Sequence, residues 1–239
     1  MISVPDVAAA YAPTYVNRVY YVRLPKGYDP GRAYPTVLLG PGCGTSGDSA
    51  IPIDEASRDD AILIGLNGIN NCFNKDAADT PEQPYFDATL ARVEQDYCVD
   101  TKHVFVAGFS SGSWLTNYLG CTRGNLLRAT ASVAGGLPPI PATCTGPIPA
   151  MFAADTDDTK NPPDVVAKAR DRVLATNGCG TDTEPYDFGV PSPCVQYKGC
   201  MPGYPVVWCV TSGLGHADQS ATKISTTGFW HFWTSLPDR

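Results

Sequence analysis

The 239 residues of the chain carry a formal net charge of -7, which disfavours binding to nucleic-acid phosphates and to anionic membranes. No run of 18 apolar residues occurs, so the sequence predicts no segment that spans a bilayer. Because 43% of the residues are apolar and no repeat or low-complexity linker divides the chain, we expect one domain over residues 1–239.

Apolar runs and helical patterns alternate along the first half of the chain. Runs rich in Val, Ile, Leu and Tyr predict strands at residues 15–24, 36–40, 61–66 and 104–107. Apolar residues three or four positions apart between residues 86 and 97 predict a helix, and a second helix is expected at 111–121.

The second half continues the same alternation. ATASVAGG and PAMFAAD predict two buried strands, and an apolar pattern at residues 165–173 predicts a helix between Pro-Pro and Asn-Gly. YPVVWCVTSG predicts a last strand and TTGFWHFWTSL a closing helix. We therefore expect an α/β fold whose mostly parallel sheet is flanked by helices on both faces.

Nine cysteines are more than an ordinary cytosolic enzyme carries. None has the paired Cys-x-x-Cys spacing of a zinc site, so disulfide bonds and a secreted protein are expected. The first residues, MISVPDVAAAYAP, lack the basic and apolar regions of a signal peptide. The odd number of cysteines leaves at least one thiol unpaired or paired between chains.

A serine between two glycines follows the strand at residues 104–107. Gly108, Ser110 and Gly112 match the pattern Gly-x-Ser-x-Gly. On a tight turn from strand to helix, this pattern presents the serine Oγ and leaves no room for Cβ atoms on either side. A chance match is the alternative, but the strand before the motif and the helix after it favour a nucleophile. Ser110 is the candidate nucleophile, and the N–H of Ser111 is a candidate oxyanion donor.

A serine nucleophile needs a general base, and the chain has three histidines. His103 precedes the strand of the serine and so falls at the opposite edge of the sheet, whereas His231 lies in the predicted closing helix. His216 follows the last strand, at the carboxyl edge that also carries Ser110. His216 is therefore the candidate base.

The acid of such a triad stands between the serine and the histidine in chain order. Asp155, Asp157 and Asp158 follow the strand PAMFAAD and fall at the same edge of the sheet. Local chemistry does not choose among them, and at least two are expected only to cap the loop and the next helix.

A second oxyanion donor is expected in the loop after the strand at residues 36–40. Pro41 has no N–H, so the candidate donors are Gly42, Cys43 and Gly44. A simple flexible turn is the alternative.

The stretches YCVDTKHVFVAGFSSGSWLTNYLGC, NGCG, VQYKGCMPGYPVVWC and GLGHADQ occur in this order and cover most of residues 15–236. In them the chain resembles the secreted esterases of the polyhydroxybutyrate depolymerase and feruloyl esterase type, within the α/β-hydrolase superfamily. The resemblance implies the α/β-hydrolase fold and a serine carboxylic ester hydrolase that forms an acyl-enzyme without a metal or cofactor.

The resemblance also assigns two open positions. The family loop His-Gly-Cys-Gly corresponds to residues 41–44, where proline replaces the histidine, and implies Cys43 as the second oxyanion donor. The family acid loop, His-Gly-Thr-x-Asp-x-x-x-Pro, matches residues 154–162 without gaps and implies Asp158 as the acid, although its histidine and glycine are lost.

The cysteines are compatible with this fold. Cys98, before the strand of the serine, and Cys121, at the end of the following helix, return to one edge of the sheet, so a Cys98–Cys121 bond is expected. A Cys43–Cys72 bond would join two loops at the active edge. The pairing stays open for four further cysteines: Cys179, Cys194, Cys200 and Cys209.

The resemblance implies one of two ester classes as the substrate. GCMPGYPVVW is more similar to the feruloyl esterases, which favours hydroxycinnamoyl esters of plant cell-wall polysaccharide over polyhydroxyalkanoates and other polyesters. Residues 133–150 are too few for a large lid, so an open groove is expected. Phe73 and Tyr85 are candidates to flank the acyl group, with a place in the core as the alternative. A non-catalytic binding protein of the same fold and a peptidase are the rival classes.

Overall fold

A computed structural model of the chain describes residues 2–4, 18–50, 52–73, 81–141 and 143–238. The strands are β1 Ile2–Val4, β2 Arg18–Arg23, β3 Tyr34–Gly40, β4 Ile62–Leu66, β5 Val99–Phe109, β6 Ala129–Val133, β7 Ala150–Asp155, β8 Thr183–Pro185, β9 Cys194–Tyr197 and β10 Val206–Thr211. The helices are α1 Asp54–Ser57, α2 Glu82–Asp96, α3 Ser111–Thr122, α4 Pro163–Thr176 and α5 Phe229–Thr234.

The ten strands form one sheet in the order β1-β2-β4-β3-β5-β6-β7-β10-β9-β8. The six central strands, β4 to β10 in this order, are parallel, and the two strands at each end are antiparallel. The predicted α/β fold with a mostly parallel sheet is confirmed. The carboxyl ends of β3, β5, β7 and β10 therefore share one edge, and each leads into a loop of the candidate site.

Both faces of the sheet are covered, as the short and continuously apolar strands predict. Phe105 and Val106 are consecutive in β5, so their side chains point to opposite faces. Phe105 stacks on Trp233 of α5 with ring centroids 5.0 Å apart. Val106 belongs to the cluster that contains Leu115 of α3 and Phe86 of α2.

The structure extends the predicted elements in some places and adds new ones in others. Strand β2 begins at Arg18, and the predicted residues 15–17 lie outside the described residues. The closing segment is a π-helical turn, Ile224–Gly228, followed by the short α5, because the Ser-Thr-Thr-Gly sequence has a low helix propensity. The sequence does not predict β1, α1, β8 or β9, all of which are short; β8 is a three-residue exposed strand that ends in a proline.

Candidate active site

Ser110 occupies a strained turn between β5 and α3. Its φ of 53° lies in the left-handed region, which residues with a Cβ atom seldom adopt. The N–H of Ser110 donates to the carbonyl of Val133 at 3.0 Å, and its own carbonyl accepts the N–H groups of Ser113 and Trp114. These bonds join the turn to β6 and to the first turn of α3, so the Ser110 side chain is presented by a fixed backbone.

The glycines of the motif permit β3, β5 and α3 to meet. A Cβ atom on Gly108 would lie 2.2 Å from the backbone carbon of Gly112. A Cβ atom on Gly112 would lie 1.9 Å from the carbonyl oxygen of Gly40, at the end of β3. Neither position can hold a larger residue without moving backbone, which is the physical reason for the Gly-x-Ser-x-Gly spacing.

Ser110, His216 and Asp158 form a continuous hydrogen-bonded chain. The Nε2 atom of His216 lies 2.9 Å from Ser110 Oγ, and its Nδ1 atom lies 2.8 Å from Asp158 Oδ2. The other oxygen of Asp158 accepts the N–H groups of Lys160 and Asn161 at 2.8 and 2.9 Å. The Asp158 side chain is fully buried, so its geometry towards the imidazole is fixed on both oxygens. This arrangement can pass a proton between the serine and the histidine.

The other two histidines lie away from this chain of bonds. Nδ1 of His103 pairs with the carboxylate of Asp100 at 2.7 Å, near the opposite end of β5. Nδ1 of His231, in α5, lies 3.1 Å from the hydroxyl of Tyr186. His216 alone of the three meets the candidate nucleophile.

Asp155, the last residue of β7, holds the loop that carries His216. Its two oxygens accept the hydroxyl of Thr211 at 2.7 Å and the N–H groups of Leu214 and Gly215 at 3.3 and 3.1 Å. Burial by itself raises the pKa of Asp155, but these donors and the N–H of Asp157 outweigh it and leave the pKa below its ordinary value. The ionised carboxylate of Asp155 therefore connects the loop after β7, which carries Asp158, to the loop after β10, which carries His216.

Asp157 is exposed and contacts the same histidine loop at one point. Its carboxylate accepts the N–H of Gly213. The three aspartates that the sequence leaves open thus differ in their contacts: Asp158 meets His216, whereas Asp155 and Asp157 hold the backbone of residues 213–215.

The loop after β3 is held by hydrogen bonds against the amino terminus of α3, the helix that follows Ser110. The carbonyl of Pro41 accepts the N–H of Gly112 at 3.0 Å and the hydroxyl of Ser111 at 3.2 Å. Cys43 is bonded to Cys72, and the N–H of Gly44 donates to the carbonyl of Asn71 at 2.8 Å. The N–H groups of Cys43 and Ser111 donate no backbone hydrogen bond to the residues that the structure describes, and both residues line the same cleft as Ser110.

A cleft of about 830 Å³ opens over Ser110. The Cys43–Cys72 bond, Phe73, Trp114, Lys160 and Asn161 also line this cleft. The ring of Phe109 lies against His216 with centroids 5.0 Å apart. No sequence pattern identified the roles of Phe109, Trp114, Lys160 and Asn161, although the first two lie within or beside the serine motif.

Tyr85 does not line this cleft, which corrects the expectation that it flanks the acyl group. The side chain is fully buried in the core. Its hydroxyl donates to the carbonyl of Val19 and accepts the N–H of Asn67, and its ring lies 3.7 Å from the guanidinium of Arg18. Burial raises the pKa of Tyr85 to about 12. Phe73, 2% exposed, does line the cleft.

The expected Cys98–Cys121 bond is wrong. Cys121, at the end of α3, is bonded to Cys144, and Cys98 is a free, half-buried thiol. Strand β5 starts at Val99 beside Tyr34, and the carbonyl of Cys98 accepts the N–H of Tyr34, so Cys98 lies next to β3 and away from the end of α3. The four cysteines whose pairing the sequence leaves open form the bonds Cys179–Cys200 and Cys194–Cys209.

Within the described ranges, no three His, Cys, Asp or Glu side chains come together in a way that could hold a metal ion. No helix in the same ranges is both long and apolar enough to cross a bilayer.

Comparison with known proteins relates the chain to esterases. No family model matches it. The chain is 29% identical to feruloyl esterase D of Neurospora crassa, over 85% of this chain and 75% of that protein. It is 28% identical to feruloyl esterase C of Emericella nidulans, over 91% of this chain and 84% of that protein. A ferulic acid esterase from Anaeromyces mucronatus, solved in complex with ferulic acid, superposes with a TM-score of 0.61 at 18% identity, over 95% of this chain and 88% of that one. The chain is an α/β-hydrolase-fold carboxylic ester hydrolase and a homologue of the fungal feruloyl esterases.

Proposed function

We propose that this protein is a secreted serine esterase that hydrolyses feruloyl and related hydroxycinnamoyl esters of plant cell-wall polysaccharide. The observation that carries the proposal is the hydrogen-bonded chain from Ser110 through His216 to the buried Asp158. The homology to feruloyl esterases supports the acyl group, and the four disulfide bonds support secretion.

Acylation begins when Ser110 Oγ attacks the ester carbonyl carbon and His216 Nε2 takes the hydroxyl proton. Asp158 accepts the Nδ1–H of His216, keeps the imidazole in the correct tautomer and stabilises its protonated form. The tetrahedral intermediate then collapses. The carbon–oxygen bond to the alcohol breaks as His216 returns the proton to the leaving oxygen, and the acyl group stays on Ser110.

Deacylation repeats these steps with water. His216 removes a proton from the water as its oxygen attacks the acyl carbon, and then protonates Ser110 Oγ as the acid leaves. No co-reactant other than water is needed.

The negative charge that develops on the carbonyl oxygen is held by the N–H groups of Cys43 and Ser111. Ser111 is the first residue of α3, so the field of the helix amino terminus adds to its hydrogen bond. The bonds from Pro41 to Ser111 and Gly112 fix the distance between the two donors before substrate arrives.

The test compares the wild type with Ser110→Ala on methyl ferulate, on a polyhydroxybutyrate film and with a serine-reactive phosphonate. We expect the wild type to release ferulate and to be labelled at Ser110, and the variant to lose about 10⁶-fold in kcat. An equal melting temperature of the variant would show that the loss is chemical.

Each other result points to a different function. Hydroxybutyrate release without ferulate release would identify a polyester depolymerase. A wild type that hydrolyses neither ester and resists the phosphonate would identify a non-catalytic binding protein. Substantial ester hydrolysis by Ser110→Ala would contradict the assignment of the nucleophile.

A further inference from the structure

Asn161 is a buried residue of the cleft wall whose side-chain amide has no hydrogen-bond partner among the described residues. The residue is 8% exposed and lines the cleft that contains Ser110. Its backbone N–H donates to Asp158, but the carboxamide, which can make up to four hydrogen bonds, makes none with the described part of the chain. The amide atoms of Asn161 are not among the fully buried polar atoms that lack a partner, so they are open to the cleft and free to bond a ligand there.

Other buried asparagines of this protein have their amides paired. The side chain of Asn177 bonds Ile148 through both its carbonyl and its amino group, and also reaches the carbonyl of Tyr204. The amino group of Asn117 donates to the carbonyls of Gly135 and Gly136. Asn161 departs from this pattern at the cleft, where a substrate can supply the missing bond.

Trp114 lines the same cleft as Asn161 and is an aromatic side chain that a substrate ring can contact. Its ring packs so closely on Gly136 that a Cβ atom there would lie 2.7 Å from the indole and 2.8 Å from the side chain of Val165. The contact holds the indole between the loop after β6 and the start of α4, in the cleft that Asn161 and Lys160 also line. An aromatic side chain and a hydrogen-bonding amide in one cleft suit a ring that carries a hydroxyl group.

We propose that Asn161 is a specificity-determining residue: its side-chain amide hydrogen-bonds a hydroxyl group on a ring of the substrate that lies against Trp114. The inference rests on the proposed function and adds a subsite to it. The hydroxyl has two sources, the phenol of the acyl group or the sugar on the alcohol side, and the test separates them.

The test uses two substrate pairs that differ in one hydroxyl-bearing part. Methyl 4-hydroxycinnamate against methyl cinnamate isolates the phenol, and a feruloyl arabinose ester against methyl ferulate isolates the sugar. In Asn161→Leu we expect kcat/KM to fall about tenfold more for the hydroxylated member of one pair than for its partner, the loss of one hydrogen bond. A change in the first pair assigns the phenol, and a change in the second assigns the sugar.

Thermal unfolding separates this role from a structural one. Leucine removes an amide that bonds no other described part of the chain, so the melting temperature of Asn161→Leu should stay close to that of the wild type. The matched control is Asn177→Leu, which breaks paired bonds and should lower the melting temperature without changing either substrate ratio.

Unchanged ratios in Asn161→Leu would overturn the inference, as would an equal loss on all four esters or a melting temperature as low as that of Asn177→Leu. A wild type inactive on all four esters would instead refute the proposed function itself.

Discussion

Asp155 fixes the histidine loop through bonds that need its negative charge. Three backbone N–H groups and the Thr211 hydroxyl converge on its two oxygens. In Asp155→Asn the amide keeps one acceptor oxygen and loses the charge, so we expect the free energy of unfolding at pH 7 to fall by about 2 kcal/mol. Looser placement of His216 should also lower kcat. Chemical denaturation and ester hydrolysis at pH 7 measure the two effects.

The stabilisation by Asp155 should depend on pH in one direction. The folded state lowers the pKa of this carboxyl, so its contribution is fully present above the unfolded pKa, about 4, and is lost as the pH falls through the folded pKa. The difference in stability between wild type and Asp155→Asn should therefore shrink from pH 7 to pH 3. A constant difference would contradict a role for the charge. Asp157→Asn, which alters one exposed bond, is the control and should change stability less.

At the residue scale, the sequence predicts those residues of the site that lie in recognisable local motifs. Ser110 directly follows β5 and His216 lies in the loop after β10, so the serine motif and the chain order identify both residues. Three aspartates within four positions look alike in sequence, and a family pattern was needed to choose Asp158. The contacts of Asp155 and the unpaired amide of Asn161 could not be predicted, since they depend on residues about 56 to 60 positions away or on the shape of the cleft.

The Cys43–Cys72 bond joins two loops of the site and should matter for catalysis as well as stability. It ties the loop of one oxyanion donor to the segment that carries Phe73. In Cys43→Ser/Cys72→Ser the backbone N–H of residue 43 is kept but its loop is released. We expect about 3 kcal/mol less stability and about a tenfold lower kcat, a fraction of the loss caused by removing a donor outright. Thermal unfolding and steady-state hydrolysis measure these effects.

The Cys179–Cys200 bond is the matched control, because neither cysteine lines the catalytic cleft. Cys179→Ser/Cys200→Ser should lower the melting temperature by a similar amount and leave kcat unchanged. If both double variants lose the same activity, the Cys43–Cys72 bond has no special role in positioning the oxyanion loop.

The elements themselves divide into those that periodicity predicts and those that it does not. The buried central strands are short apolar runs, so the sequence pattern predicts them. The β8–β9 extension escapes prediction because β8 is exposed and pairs only with β9, at the edge of the sheet. The Cys98 error has the same origin: periodicity indicates only the apolar residues 104–107, while β5 extends back to Val99 through exposed and half-buried residues.

At the scale of the whole molecule, the parallel sheet brings loops that are distant in sequence to one edge. The serine turn follows β5, the acid loop follows β7 and the histidine loop follows β10. Alternating strands and helices are enough to predict that these loops share an edge. The strand order that makes the loops after β7 and β10 neighbours is a long-range property, which no local pattern in the sequence records.

The net charge of -7 should make the enzyme discriminate between polymer backbones that carry the same ester. Feruloyl groups on a neutral arabinoxylan fragment experience little long-range force, whereas the same groups on an anionic, galacturonate-rich fragment are repelled. Salt screens this repulsion, with a Debye length of about 10 Å at 0.1 M. We therefore expect kcat/KM on the anionic fragment to rise about threefold between about 20 and 200 mM NaCl, and kcat/KM on the neutral fragment to stay constant.

Methyl ferulate controls for direct effects of salt on the chemistry. A fall of kcat/KM with salt on the anionic fragment would mean that a local cation such as Lys160, at the cleft, outweighs the charge of the whole protein.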